Sequence, residues 1–234
     1  MMEKHRRQAG VVALMALITG LSFRLSTADA GGTPEGTTKE TSSAAGTMTV
    51  NVDASRIYVF VGKTGLGHEH GIEGRLKSGT VRLGATEDAG ELVFDMASFD
   101  ADTPAARKHV GLSGATDSST RLQVNQNMKA EPILDVRRHP TASFEITSCR
   151  EVQAKNAKGQ TTYELNGKLT LRGRAHALKF RAVAEEKDGV TKLRGDFTML
   201  QTNFGITPFR KALGAVGITN ELKVYGDLVL KSER

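Results

Sequence analysis

The chain has 234 residues, 38% of them hydrophobic, with 25 glycines, five prolines, one cysteine and no tryptophan. Its formal charge is +6, from 32 Lys/Arg against 26 Asp/Glu, and the excess is scattered without a long basic block, which argues against a nucleic-acid partner. A single cysteine excludes an intrachain disulfide, so the fold has to rest on its core and its strand pairing.

The first thirty residues read as a cleaved signal peptide. Lys4, Arg6 and Arg7 precede the uncharged stretch Ala9–Phe23, and Ala28-Asp29-Ala30 supplies a small–x–small cleavage pattern. The apolar stretch is short of the roughly twenty residues that a membrane span needs, and an uncleaved anchor is the alternative. No cysteine follows it to carry a lipid. The expected location is therefore the periplasm or the exterior. Removal of this segment leaves 28 Lys/Arg and 24 Asp/Glu, a net charge of +4. Gly31–Thr47 has no large apolar residue and reads as a flexible linker, which places the folded domain at 48–234.

Within that domain, β-branched and aromatic runs recur at strand length. The expected strands are Thr47–Val52, Ile57–Lys63, Gly71–Leu83, Glu91–Phe99, Thr141–Cys149, Gln160–Arg172, Leu178–Glu185, Val190–Thr198 and Glu221–Lys231. Ile72, Gly74 and Leu76 alternate with Glu73, Arg75 and Lys77, the signature of a half-buried strand. Turn chemistry separates the runs, as at Lys187-Asp188-Gly189. Many strands joined by short turns imply an antiparallel meander, and closing it removes the exposed edges, so an all-β barrel is expected. Asp117 can cap a helix that Pro132 stops, and Lys211–Val216 suits a second helical turn. Cys149 shares the alternation of Glu145 and Thr147 and is expected to be partly exposed.

Gly65-Leu66-Gly67-His68-Glu69-His70-Gly71 carries the sharpest chemical signal. On a strand, His68 and His70 project from one face, as in many metal sites, but zinc needs a third and usually a fourth ligand. His109, His139 and His176 are isolated candidates for these. The other readings are a bend whose imidazoles bond to backbone, or a pair that orients a ligand's polar group. Asp100 and Asp102 read as solvated strand-end acids. Arg172 and Arg174 beside His176 form a small basic cluster. No nucleophile elbow, phosphate loop, dinucleotide fingerprint or zinc-protease motif is present, so a binding protein is expected; the alternative is a metal-binding protein or metalloenzyme that uses His68 and His70.

Several segments occur together in a known order: Asp53-Ala54-Ser55-Arg56-Ile57, Phe94-Asp95-Met96-Ala97-Ser98-Phe99 before Thr103…Arg107, His139-Pro140-Thr141-Ala142-Ser143-Phe144, Gly167-Lys168-Leu169-Thr170-Leu171-Arg172-Gly173, and Asn203-Phe204-Gly205-Ile206. In this order the chain resembles the YceI-like family of exported bacterial proteins. The resemblance implies a lipocalin-like antiparallel barrel of about eight strands with an elongated apolar cavity. It also implies a ligand of the polyisoprenoid class, including isoprenoid quinone tails, and brings the chain near membranes. Oligomeric state stays open, a dimer included. Phe60, Phe94, Met96, Phe144, Phe180, Phe197, Met199 and Phe204 are the expected cavity wall, the alternative being a packed core without a hollow. His68, His70, Arg107 and His109 are the expected polar contacts. The chain departs from the family where Lys108 in Arg107-Lys108-His109 stands at a position that is usually acidic.

Overall fold

The computed structural model describes residues 46–232; the expected signal peptide and nearly all of the expected linker lie outside the described residues. Ten strands are present: β1 Thr47–Val50, β2 Arg56–Gly65, β3 His70–Arg82, β4 Gly90–Ala101, β5 Thr141–Gln153, β6 Gln160–Leu171, β7 Arg174–Lys187, β8 Val190–Leu200, β9 Arg210–Lys211 and β10 Val216–Ser232. Two helices, α1 Pro104–His109 and α2 Ser118–Lys129, lie between β4 and β5.

Strands β2 to β8 pair antiparallel in chain order, and β10 pairs with both β2 and β8, which closes an eight-stranded antiparallel barrel. β1 pairs with β10 and β3, the same neighbours as β2, so the two share one interrupted stave. The break at 51–55 is pinned by Ser55, whose buried hydroxyl accepts the Val229 N–H at 2.9 Å. Tight turns use the residues that tolerate positive φ. Asp188 and Gly189 join β7 to β8, and Arg172 and Gly173 join β6 to β7, all four in the left-handed region.

Meander connectivity puts the two sets of connections at opposite ends of the barrel. One end is a packed plug. Val81, Ala89, Cys149 and Leu230 have no exposure there, and Ile146 has almost none. The other end carries α1, α2, the turn 66–69 and the segment 201–215. Helix α2 begins where the sequence suggests, with the Asp117 side chain accepting the Thr120 N–H at 2.9 Å. It is latched to the end of β4: Asn125 accepts the Ala101 N–H at 2.9 Å and donates to Asp100 at 2.8 Å, and Arg121 pairs with Asp100. The expected helical turn at 211–216 is only a short 3-10 turn, Ala212–Gly214, after β9. Helix α1 was not among the sequence expectations, although Thr103 caps it and Pro104 opens it.

The outer wall carries cross-strand ion pairs, Glu145–Lys168 at 3.0 Å, Glu164–Lys179 at 2.9 Å and Arg194–Asp227 at 3.1 Å. It therefore lacks the apolar outer band of a membrane-spanning barrel.

The expectation of a partly exposed Cys149 is corrected. Between Ile146/Gly167 and Ser148/Asn166 the β5–β6 register shifts by one residue, leaving Thr147 as a bulge. The bulge reverses the phase of alternation, so Cys149 enters the plug instead of following Thr147 outward. Burial pushes its thiol up to about 11. A thiol so placed is inert. Ellman's reagent at pH 8 should leave the folded protein unlabelled and react only as it unfolds; rapid stoichiometric labelling of the native chain would contradict this placement.

Candidate functional site

The barrel is hollow above its plug. A cavity of about 270 Å³ runs along the axis toward the helical end, walled almost wholly by apolar side chains. A row of mostly small residues crosses the wall: Gly74, Ile57, Gly226, Gly195 and Ala182 stand side by side on β3, β2, β10, β8 and β7. The Phe99 and Phe180 rings pack over Gly74 and Gly195, whereas a Cβ at Gly226 would meet nothing closer than 3.9 Å, so Gly226 is the glycine of this row that opens onto the cavity.

Six of the eight expected wall residues line this cavity: Phe94, Met96, Phe144, Phe180, Phe197 and Met199. Phe144, Phe180 and Phe197 form a row on one side, with ring centroids 5.7 and 5.1 Å apart. Phe60 and Phe204 lie elsewhere. Phe60 falls between the inward residues Val59 and Val61 and so takes the opposite face of β2. Phe204 is buried in a 3-10 turn after β8, edge-on to His176 at 6.0 Å. Helix α2 roofs the cavity with Val124, Asn127 and Met128, and the segment after β8 adds Ile206 and Phe209.

The polar expectations divide more sharply. His68 and His70 do not share a strand face, because β3 begins only at His70 and His68 is exposed on the preceding turn. Among the described residues no group of three or more His, Cys, Asp or Glu side chains is placed to hold a metal ion. His70 obeys the alternation of Ile72 and Leu76 and lines the cavity. His109 does not. It ends α1 on the outer wall, stacked on Tyr58 at 3.9 Å and edge-on to Tyr225 at 5.4 Å, and burial lowers its pKa. Arg107 also stays off the cavity and acts through a neighbour, Asp102.

Asp102 corrects the expectation of a solvated strand-end acid. Its side chain is wholly buried, with Asp102 itself in the left-handed region just before the α1 cap. It accepts from His70 Nδ1 at 2.7 Å, the Gly71 N–H at 3.0 Å, Thr116 at 3.0 Å and Arg107 at 3.2 Å. Burial alone would push its carboxyl up, but these hydrogen bonds, His70 first, hold it down at about 2. Ionised at neutral pH, Asp102 can only accept, so the shared proton sits on Nδ1. That leaves Nε2 as the one uncommitted polar atom of a cavity-lining ring. Asp100, by contrast, is partly exposed and paired, as a strand-end acid would be. Arg172 of the basic cluster donates to the Glu131 and Gly205 carbonyls at 3.0 and 3.2 Å and ties two loops of the helical end together.

The model of the YceI-like domain matches residues 48–230. The chain belongs to the YceI-like family. The family's relatives include a UPF0312 protein of Azotobacter vinelandii, 33% identical over 94 residues that make up 39% of this chain and 46% of that protein. Another is a UPF0312 protein of Ectopseudomonas mendocina, 32% identical over 132 residues, 53% of this chain and 64% of the relative. The match thus spans from about half to under two thirds of these relatives' length. Among solved structures, a polyisoprenoid binding domain from Saccharophagus degradans superposes with a TM-score of 0.56 at 13% identity, covering 81% of this chain and 99% of that one. At that identity the likeness establishes the shared barrel fold.

Asp102 makes a signed prediction. A carboxyl held below its ordinary value of 3.8 stabilises the fold fully above that pH, and the contribution disappears as pH falls through about 2. The contribution is on the order of 2 kcal/mol. Denaturant titrations of Asp102→Asn should show lower stability at pH 7 and a flatter decline from pH 4 to 2 than the unsubstituted protein. Parallel acid limbs would contradict the assignment.

Proposed function

We propose that this protein is an exported binding protein that holds one apolar, lipid-like molecule in its barrel, with a polyisoprenoid or the isoprenoid tail of a quinone as the ligand. The observation that carries this reading is the cavity itself, closed at one end, apolar along its length and open beside Gly226. Burial of a hydrocarbon chain there gains about 0.8 kcal/mol per CH₂ group, a gain that favours length over any particular head group. His70 Nε2 offers a single directional contact, accepting from a hydroxyl when the ring is neutral and donating to a carbonyl when it is protonated. The Saccharophagus degradans domain, described as polyisoprenoid binding, supports the ligand class. The basic, apolar and small-residue pattern of residues 1–30 supports export.

The binding reading is tested by gentle native mass spectrometry of the purified protein and by organic extraction. The expected result is one isoprenoid or similarly apolar molecule per chain. Gly226→Leu provides the control, since a Cβ at this position meets nothing closer than 3.9 Å and its side chain would extend into the cavity. The variant should fold with equal or higher thermal stability and lose the bound molecule. A protein that carries no apolar ligand, and gains none on incubation with polyprenols, would overturn the proposal.

A further inference from the structure

The open end of the barrel is unlike the rest of the surface. Among the described residues, four of the six exposed large hydrophobic side chains lie there, Leu66, Leu122, Leu200 and Leu213. Leu66 is 81% exposed and Leu213 is 111% exposed, more than an extended chain would show. These two occupy adjoining turns, joined by the Leu66 N–H donating to the Ala215 carbonyl at 2.9 Å. Leu213 also follows Ala212 in the left-handed region, with φ of 54° and 52°. Two consecutive non-glycine residues in that region are strained, and the turn they form holds a leucine out in solvent. Exposed apolar groups held out in this way mark an interaction site.

Charge indicates the partner. The connections at the open end, 66–69, 102–140, 172–173 and 201–215, hold nine Lys/Arg against five Asp/Glu. Those at the closed end, 51–55, 83–89, 154–159 and 188–189, hold two against four. Lys63, Arg210 and Lys211 flank the leucine pair, are exposed, and form no ion pair with any carboxylate among the described residues. Leucines projecting beyond a rim of unpaired cations match an anionic bilayer, in which apolar tips pass the head groups and cations stay among them.

We propose that the open end of the barrel docks on an anionic phospholipid surface, with Leu66 and Leu213 inserted and Arg210 and Lys211 bound to head groups. Docking in this orientation turns the helical end of the cavity toward the acyl region. The proposal does not depend on what fills the cavity, and its test does not measure cavity ligand.

The chain has no tryptophan, so a single introduced indole reports on its own position. Leu213→Trp in the full chain should emit as a water-exposed indole in buffer. With equimolar phosphatidylglycerol/phosphatidylcholine vesicles its emission should shift to the blue, an effect reversed by high salt. Thr86→Trp, at the closed end, should not shift. Adding Arg210→Ser and Lys211→Ser to Leu213→Trp should weaken the response about tenfold or more. Leu213→Gly relieves the backbone strain, so it should unfold at the same or a higher temperature than the unsubstituted chain while partitioning less onto the vesicles. An indole at 213 that ignores the vesicles, or shifts no more than the one at 86, would overturn the proposal. So would a dimer in solution that Leu213→Gly dissociates, since that result would assign the patch to a second copy of the chain.

Discussion

The pairing of β10 with both β2 and β8 is the constraint on which the rest depends. Once the eighth stave is hydrogen-bonded on both edges, the circumference is set by the backbone and no longer by the side chains inside it. In an open sheet or a two-layer sandwich, facing layers could approach until a gap such as the one beside Gly226 closed. A closed barrel cannot contract in that way, so the space its inward side chains leave along the axis stays open.

The same closure separates the two ends. At one end, short turns and the bulge at Thr147 bring Val81, Ala89, Ile146, Cys149 and Leu230 into a plug. At the other, the long β4–β5 connection supplies α1 and α2, and α2 roofs the cavity while Asp100 and Asn125 hold it to β4. Asp102 belongs to this arrangement. Its carboxylate ties the start of β3, Arg107 of α1 and the loop at Thr116 to one point, and in doing so fixes the tautomer of His70, the one imidazole on the cavity wall among the described residues. Structural support and ligand chemistry meet in that one group.

Much of the fold was legible in the sequence because period-two alternation and turn residues are local signals. The barrel strands from Ile57 onward (though not the short β9), the Asp188-Gly189 hairpin and the Asp117 cap all follow from neighbours in the chain. Cys149 was misread because a bulge shifts the phase of a strand without changing its composition. His68 was misread because strand spacing was extended into a turn bounded by Gly65 and Gly67. Asp102 was misread as solvated for a different reason: its partners come from β3, α1 and the Thr116 loop, and only the folded chain brings them together. Phe60 could have been placed correctly, since Val59 and Val61 on either side of it show which face of the strand is inward. Gly226, which opens onto the cavity, carries no local mark that separates it from glycines in turns.

The central claim is that the barrel contains a binding cavity and not merely a loosely packed core. Methyl-resolved NMR with added geranylgeraniol tests it directly. The account predicts saturable shifts for cavity methyls such as Val59, Ile72, Leu178 and Val224, with the plug methyls of Val81 and Leu230 unmoved. No saturable change in the cavity set, or equal changes in both sets, would contradict it.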